Sequence, residues 1–310
     1  MANRPSVVFF GTTNELSLTA LETLVVSDVM IAAVFVTADT VSTDPDSSLE
    51  LLQPAKLAGE LPLVNPFFEP NLLHTAWSAE IPVYGVKSAH APELAELLDT
   101  LRPDAACVAC FPWKLPVALL SVPPLGFLNV HPSLLPYYRG PAPLFWLFQR
   151  ADLTKRGVSV HLMDAGLDTG PLLRRQPLQF PDGLGQLDVE RACGALGGQL
   201  LVQALEKLAA GDKGLAQPAD GSYYPWPEPV DYALDTAWSA RQAFNFMRAT
   251  NGEAATYPVR DMDLTLIDAL DCIEQGRLSA PLEVGGRVAL IQFSTGILKA
   301  KIARPSSRRV

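Results

Sequence analysis

The feature that most limits what this chain can fold into is a recurring alternation of short apolar runs with amphipathic stretches. Ser6 to Phe10 is β-branched and aromatic and closes on Gly11, after which Leu18, Leu21, Leu24 and Val25 fall on one helical face. Met30 to Thr37 and Pro82 to Val86 read as buried strands. Leu94, Leu97, Leu98 and Leu101 then mark an amphipathic helix before the apolar run Ala105 to Cys110. The pattern continues through strands at Gly126 to Val130 and Val158 to Met163, then a helix striped with Leu196, Leu200, Leu201, Leu205 and Leu208. This alternation predicts an α/β fold in which helices cover both faces of a parallel sheet.

The register ends near Ala210, and the stretch GDKGLAQPADGSYYPWPEP that follows has the composition of a connection. The expected organisation is an α/β domain over 1–210, a linker over 211–229 and a C-terminal module over 230–310. That module opens on a helix around Ala237 to Ala249. It goes on in short runs, Arg287 to Phe293 and Ile297 to Ile302, set apart by Gly285-Gly286 and Gly296, which suggests a small β-rich unit. A formal charge of −9 argues against a general nucleic-acid footprint, so any such contact must be local. The longest apolar run is far short of the roughly 18 residues of a membrane helix, and Met1 to Phe10 lacks the pattern of a signal peptide. No membrane association, a cytoplasmic location and a monomer are expected.

Several chemistries find no signature. Cys107, Cys110, Cys193 and Cys272 are too scattered for a disulfide framework, and the one CxxC, Cys107 to Cys110, sits in a strand pattern with no second metal-ligand pair. No HExxH is present, and no metal is expected. The turn Gly11-Thr12-Thr13-Asn14-Glu15 has one glycine where a dinucleotide fingerprint has three, and no GxxxxGK[ST] loop occurs.

The informative stretch is Gly126 to Gly140, GFLNVHPSLLPYYRG. If Phe127 to His131 is a strand, a period of two puts Asn129 and His131 on one face near its carboxyl end, where open α/β sheets bind ligands. Pro132 and Pro136 stiffen the loop beyond. In the second stretch, MDAGLDTG, Gly166 and Gly170 permit a tight loop carrying Asp164 and Asp168 toward the neighbouring strand end. Singly, each residue has a plain structural role available: a satisfied histidine, an asparagine in a turn, an aspartate in an Asx-turn. His161, His74 and His90 are read that way. Together, Asn129, His131 and Asp168 suit acyl transfer to an amine. The amide and a protonated imidazole would donate to the oxygen as it gains charge, while the carboxylate would raise the imidazole pKa and help manage the amine proton. A Ser or Cys nucleophile is not needed.

At these residues the sequence resembles the 10-formyltetrahydrofolate-dependent formyltransferases, in particular the branch that acts on methionyl-tRNA. The resemblance is carried by FFGTTNELSLTALETL, GFLNVHPSLLPYYRGPAP and MDAGLDTGPLL, with weaker echoes in VDYALDTAW, RATN and STGILKAKI. It implies a Rossmann-like catalytic domain followed by an OB-like module, with Asn129, His131 and Asp168 as the catalytic trio. It also implies a folate site in which Phe111, Pro112, Trp113, Lys114 and Leu115 pack against the pterin, the Asp164 to Asp168 loop with Gly166 hydrogen-bonds it, and Ser133, Leu134, Leu135 and Pro136 form the adjoining wall. Gly11, Thr12 and Arg139 are assigned to the acceptor, Arg139 as the group to meet an anionic substrate.

The donor is therefore expected to be 10-formyltetrahydrofolate and the acceptor the amine of initiator methionyl-tRNA. One departure concerns that acceptor. Where the transfer-RNA enzymes carry a basic hairpin after the second strand, this chain has TADTVSTDPDSSLELL, with Asp39, Asp44, Asp46 and Glu50 and no Lys or Arg between Arg4 and Lys56. Such a loop repels phosphate. Arg174, Arg175, Lys299, Lys301, Arg308 and Arg309 are scattered cations elsewhere. The departure favours a nucleotide-linked amino sugar as the alternative acceptor, and a catalytically silent folate- or RNA-binding relative is the alternative of another class.

Overall fold

The computed structural model describes residues 5–37, 48–54, 71–252 and 255–303 of the chain. β1 (Ser6–Gly11) ends in a turn at which Asn14 caps α1 (Glu15–Val25) by accepting from the Ser17 amide at 2.9 Å. Then come β2 (Met30–Thr37), β3 (Leu49–Leu52), α2 (Leu72–Ser78), β4 (Val83–Val86), α3 (Pro92–Leu101) and β5 (Ala105–Ala109). The chain continues through α4 (Val117–Leu120), β6 (Phe127–His131), α5 (Pro143–Gln149), β7 (Gly157–Leu162), β8 (Leu172–Pro177) and α6 (Gln186–Ala209). The eight strands form one sheet in the order β3-β4-β2-β1-β5-β6-β7-β8.

The strands from β4 to β6 are parallel to one another, as the alternation predicts. The strand expected at Val158 to Met163 departs from that rule: β7 runs antiparallel to β6, and β8 antiparallel to β7. A parallel return requires a crossover that packs on the sheet. The only helix between β6 and β7, α5, belongs to the other compact unit described below, so the chain re-enters the sheet in the opposite sense. β3 is also antiparallel to its neighbour, and it places Glu50 in an edge strand.

Fully buried Val8, Phe10, Phe35, Ala106 and Phe127 make one face of the core, against Leu94 and Leu98 of α3 and Leu119 and Leu120 of α4. On the opposite face, Val130 sits against Gly197 of α6. Gly194 and Gly198 let the same helix approach Leu16, Thr19, Ala20 and Thr23 of α1, where a β-carbon would collide with backbone or side chain. Cys107 is fully buried in β5, and burial pushes its thiol up to about 12. For Cys110 burial is again the main cause of a rise to about 11, so the CVAC pair has no reactive thiolate.

The chain divides into two compact units. One comprises Met1–Arg139, Gly157–Leu178 and Glu190–Ser222, and the other Gly140–Arg156, Gln179–Val189 and Tyr223–Val310. The expected linker is thus split: residues 211–222 go with the α/β unit, where Leu215 and Leu172 exchange two backbone hydrogen bonds of 2.8 Å. α5 joins the second unit because its Phe145 ring packs edge-on, 5.2 Å from that of Phe246, in α7 (Ala240–Ala249). There β9 (Tyr257–Pro258), β10 (Thr265–Ile273), β11 (Leu282–Gly285), β12 (Val288–Gln292) and β13 (Ile297–Ile302) form an antiparallel sheet in the order β11-β12-β13-β10-β9. This is the β-rich unit that the short alternating runs predict.

Candidate active site

β6 spans Phe127 to His131, so Phe127, Asn129 and His131 share a face. Phe127 fills the core under α3 and α4, and the two polar residues extend its row. Because β7 is antiparallel, Asn129 stands opposite His161, and His131 opposite Ser159. β7 ends beside the start of β6, where the Met163 amide donates to the Phe127 carbonyl at 2.7 Å. The loop that follows folds back over the sheet face to deliver Asp168. Convergence therefore takes place on the face of two antiparallel strands, not at two adjacent carboxyl ends.

Asp168 Oδ1 lies 3.3 Å from Asn129 Nδ2, 3.6 Å from His131 Nδ1 and 3.4 Å from His161 Nε2. The two histidines and the aspartate are 3%, 2% and 8% exposed, which makes this a dry cluster. Asp168 has φ of 55°, a left-handed conformation that a non-glycine residue adopts at a cost and that recurs at functional sites. A β-carbon at Gly166 would displace the Thr169 hydroxyl, and one at Gly170 would strike the Leu162 carbonyl, so the loop closes only with glycine at position 170.

The protons can be assigned from the partners. His131 Nε2 lies 2.8 Å from the Tyr138 carbonyl, an acceptor only, so that nitrogen carries hydrogen and Nδ1 faces Asp168. His161 Nδ1 likewise donates to the Leu162 carbonyl at 2.8 Å, which leaves Nε2 to accept from Asn129 Nδ2 at 3.2 Å. Burial lowers the His131 pKa from its ordinary 6.5, and it outweighs Asp168 and the Tyr138 carbonyl, which act upward; His161 and Arg139 add smaller downward pushes. Burial thus pushes His131 toward the neutral form, in which Nδ1 is available as a base, where the sequence reading expects a protonated imidazole. His161, read from sequence as structural, is a fourth member of the cluster. The signal that would have found it is an antiparallel pairing of the two strands.

The other expected residues separate into two groups. Phe111 and Trp113 are half-buried rings 5.4 Å apart that, with Met163, border the core beside Phe127. Pro112 and Lys114 are exposed beside them, whereas Leu115 is buried among core residues. Ser133 is fully buried, with its hydroxyl donating to the Tyr137 carbonyl at 2.7 Å. Leu135 is also buried, and its amide donates to the Ser159 hydroxyl at 3.0 Å. Those two and the buried Pro136 brace the loop, and only Leu134 remains half-exposed. Asp164 Oδ1 is taken up within its own loop by the Gly166 amide and the Thr169 hydroxyl. Gly11 is buried and Thr12 half-buried, in a turn tied to β5 through Ser17, which accepts from the Thr12 amide and donates to the Ala109 carbonyl. Arg139 is half-buried and held by Gln217. Of the acidic run, residues 38–47 lie outside the described residues, as do Arg308 and Arg309. Among the described residues no cluster of three or more His, Cys, Asp or Glu could hold a metal, and no helix is long and apolar enough to cross a membrane.

A Rossmann-like sheet on which a half-buried amide, a buried imidazole and a buried carboxylate converge, with no covalent nucleophile required, has the groups that direct group transfer needs. Residues 8–205 match the formyl transferase family, and the chain belongs to that family. The methionyl-tRNA formyltransferase of Syntrophus aciditrophicus is 32% identical over 282 residues, 90% of this chain and 84% of that one. The methionyl-tRNA formyltransferase of Aromatoleum aromaticum is 30% identical over 316 positions, covering 100% and 93%. Among solved structures, the N-formyltransferase from Helicobacter canadensis, in complex with folinic acid and dTDP-3-aminofucose, has the same fold. Its TM-score is 0.64 at 14% identity, over 95% of this chain and 98% of that one.

Proposed function

We propose that this formyltransferase moves a formyl group from 10-formyltetrahydrofolate to the amino group of initiator methionyl-tRNA, as a cytoplasmic monomer. The observation that carries the chemistry is that Asn129 and His131 both lie within 3.6 Å of one Asp168 carboxylate oxygen. The half-buried rings of Phe111 and Trp113, set edge to face beside Met163, offer apolar surface for a pterin, and the backbone of the exposed 164–167 loop offers it hydrogen bonds. The Helicobacter enzyme in complex with folinic acid supports this donor, and the two curated relatives, both methionyl-tRNA formyltransferases, support this acceptor.

The donor supplies an activated formyl carbon bonded to the folate N10. Asn129 Nδ2 exchanges one of its long contacts, 3.2 and 3.3 Å, for the formyl oxygen as charge grows there. Neutral His131 takes the proton that the attacking amine loses, at Nδ1, and Asp168 stabilises the resulting imidazolium. As the new carbon–nitrogen bond forms and the old one breaks, His131 passes that proton to N10, so charge and hydrogen balance. Arg139, beside the loop, is the cation for the acceptor's phosphate or carbonyl groups.

The run without Lys or Arg between Arg4 and Lys56 favours a second acceptor, a nucleotide-linked amino sugar. Purified protein given 10-formyltetrahydrofolate with each acceptor separates the two. Formylation of charged initiator tRNA is expected; formylation of a dTDP-amino sugar alone refutes the tRNA reading, and formylation of neither supports a silent binding relative.

A further inference from the structure

Resting on that reading of the site, we infer that Gln217, in the stretch whose composition reads as a linker, is the positioning residue that holds the Asp168 carboxylate on His131. Every hydrogen-bonding capacity of its amide is used. Nε2 donates to the Asp168 carbonyl at 2.8 Å and to the Gly170 carbonyl at 2.7 Å, while Oε1 accepts from Arg139 Nε at 3.1 Å and Nη2 at 2.8 Å. The orientation is fixed by chemistry, since the reverse would set an oxygen against two carbonyls and an NH2 against a guanidinium. The two carbonyls are that of left-handed Asp168 itself and one two residues on, so Gln217 pins the backbone directly after a conformation that persists only where its surroundings over-determine it. The same strap secures the other side of His131. Ser222 accepts through its hydroxyl from the Tyr138 amide at 2.9 Å and through its carbonyl from the Arg139 amide at 2.9 Å. Tyr138, itself left-handed at φ of 57°, presents the carbonyl that fixes the His131 tautomer. The segment 215–222 thus ties together the two loops that must meet.

The test is a double-mutant cycle in formyl transfer from 10-formyltetrahydrofolate to methionyl-tRNA, comparing Gln217→Ala, Asp168→Asn and the pair. Gln217→Ala is expected to lower kcat by about 10- to 100-fold, the usual cost of loosening a supporting partner, with KM for the folate within about twofold of wild type. In the Asp168→Asn background it is expected to cost little more, because the group it holds is already gone. Gln217→Glu, which keeps the acceptor for Arg139 but places a carboxylate against both carbonyls, is expected to lose at least as much as Gln217→Ala. A near-normal kcat in Gln217→Ala overturns the inference, as does an equal further loss in the Asp168→Asn background or a kcat loss matched by a lowered melting temperature. Full activity in Asp168→Asn alone refutes the assigned centre itself.

Discussion

The parallel strands and the antiparallel end of the large sheet carry different chemistry along one row of side chains. Read across the pairing, the row runs Tyr84, Phe35, Phe10, Val108, Asn129, His161. Over the parallel strands it is apolar, with Phe10 and Phe35 stacked at 4.6 Å and Tyr84 5.5 Å beyond. It turns polar at β6 and β7, where the strand direction reverses. A parallel sheet buried on both faces has no place for unpaired polar groups. The reversal supplies one, because the short β7–β8 connection can fold over the face and bring its own carboxylate. Stability and chemistry are thus assigned to different stretches of one row, and substitutions should separate them.

The sharpest break is expected at the apolar end. Phe10→Ala removes a fully buried ring that also meets Phe111 and Phe127 at 5.3 and 5.5 Å, and it should destabilise the fold by about 3–5 kcal/mol in denaturant titration. At the polar end, His161→Leu takes away the acceptor that holds Asn129 while preserving bulk. It should lower kcat by about 3- to 10-fold, the worth of the one hydrogen bond to Asn129, while loss of the second bond, to the Leu162 carbonyl, costs stability but less than Phe10→Ala. An unchanged kcat would return His161 to a purely structural role.

The smallest effect expected is a pH dependence of stability. His131 has its folded pKa lowered by burial below the ordinary 6.5, so its imidazole binds protons more readily in the unfolded chain. Its contribution is fully present above pH 6.5 and is lost as pH falls below that value, with a slope of at most about 1.4 kcal/mol per pH unit from this one group. The melting temperature of wild type should therefore fall on acidification below pH 6.5 more steeply than that of His131→Gln. Parallel curves would mean that the imidazole is not held neutral.

Much of this was legible in the sequence. The span of β6 and the sharing of a face by Asn129 and His131 follow from a five-residue run with period two, and local patterns of that kind survive folding. The direction of β7 was not legible, because an apolar run reads the same in either sense. His161 stayed hidden for that reason alone: its role comes from a cross-strand partner 32 positions away. Burial of His131 also escaped, since its protonation depends on packing that no local pattern states. Ser133 and Leu135 adjoin the site in sequence, and what no local pattern states is that the Ser133 hydroxyl is taken up by the Tyr137 carbonyl and the Leu135 amide by Ser159. Gln217 lay in a stretch rich in Gly, Pro and Asp, a composition that reports a lack of regular structure and says nothing about what the backbone is tied to.

The account turns on a neutral His131 that accepts the amine proton with Asp168 behind it. Single-turnover transfer of labelled formyl from 10-formyltetrahydrofolate to methionyl-tRNA by wild type and His131→Gln tests this directly. Glutamine can still donate to the Tyr138 carbonyl but cannot take the proton. The rate of transfer is expected to fall by about 10²- to 10⁴-fold with the melting temperature at neutral pH little changed. A variant that transfers formyl at close to the wild-type rate would contradict the account.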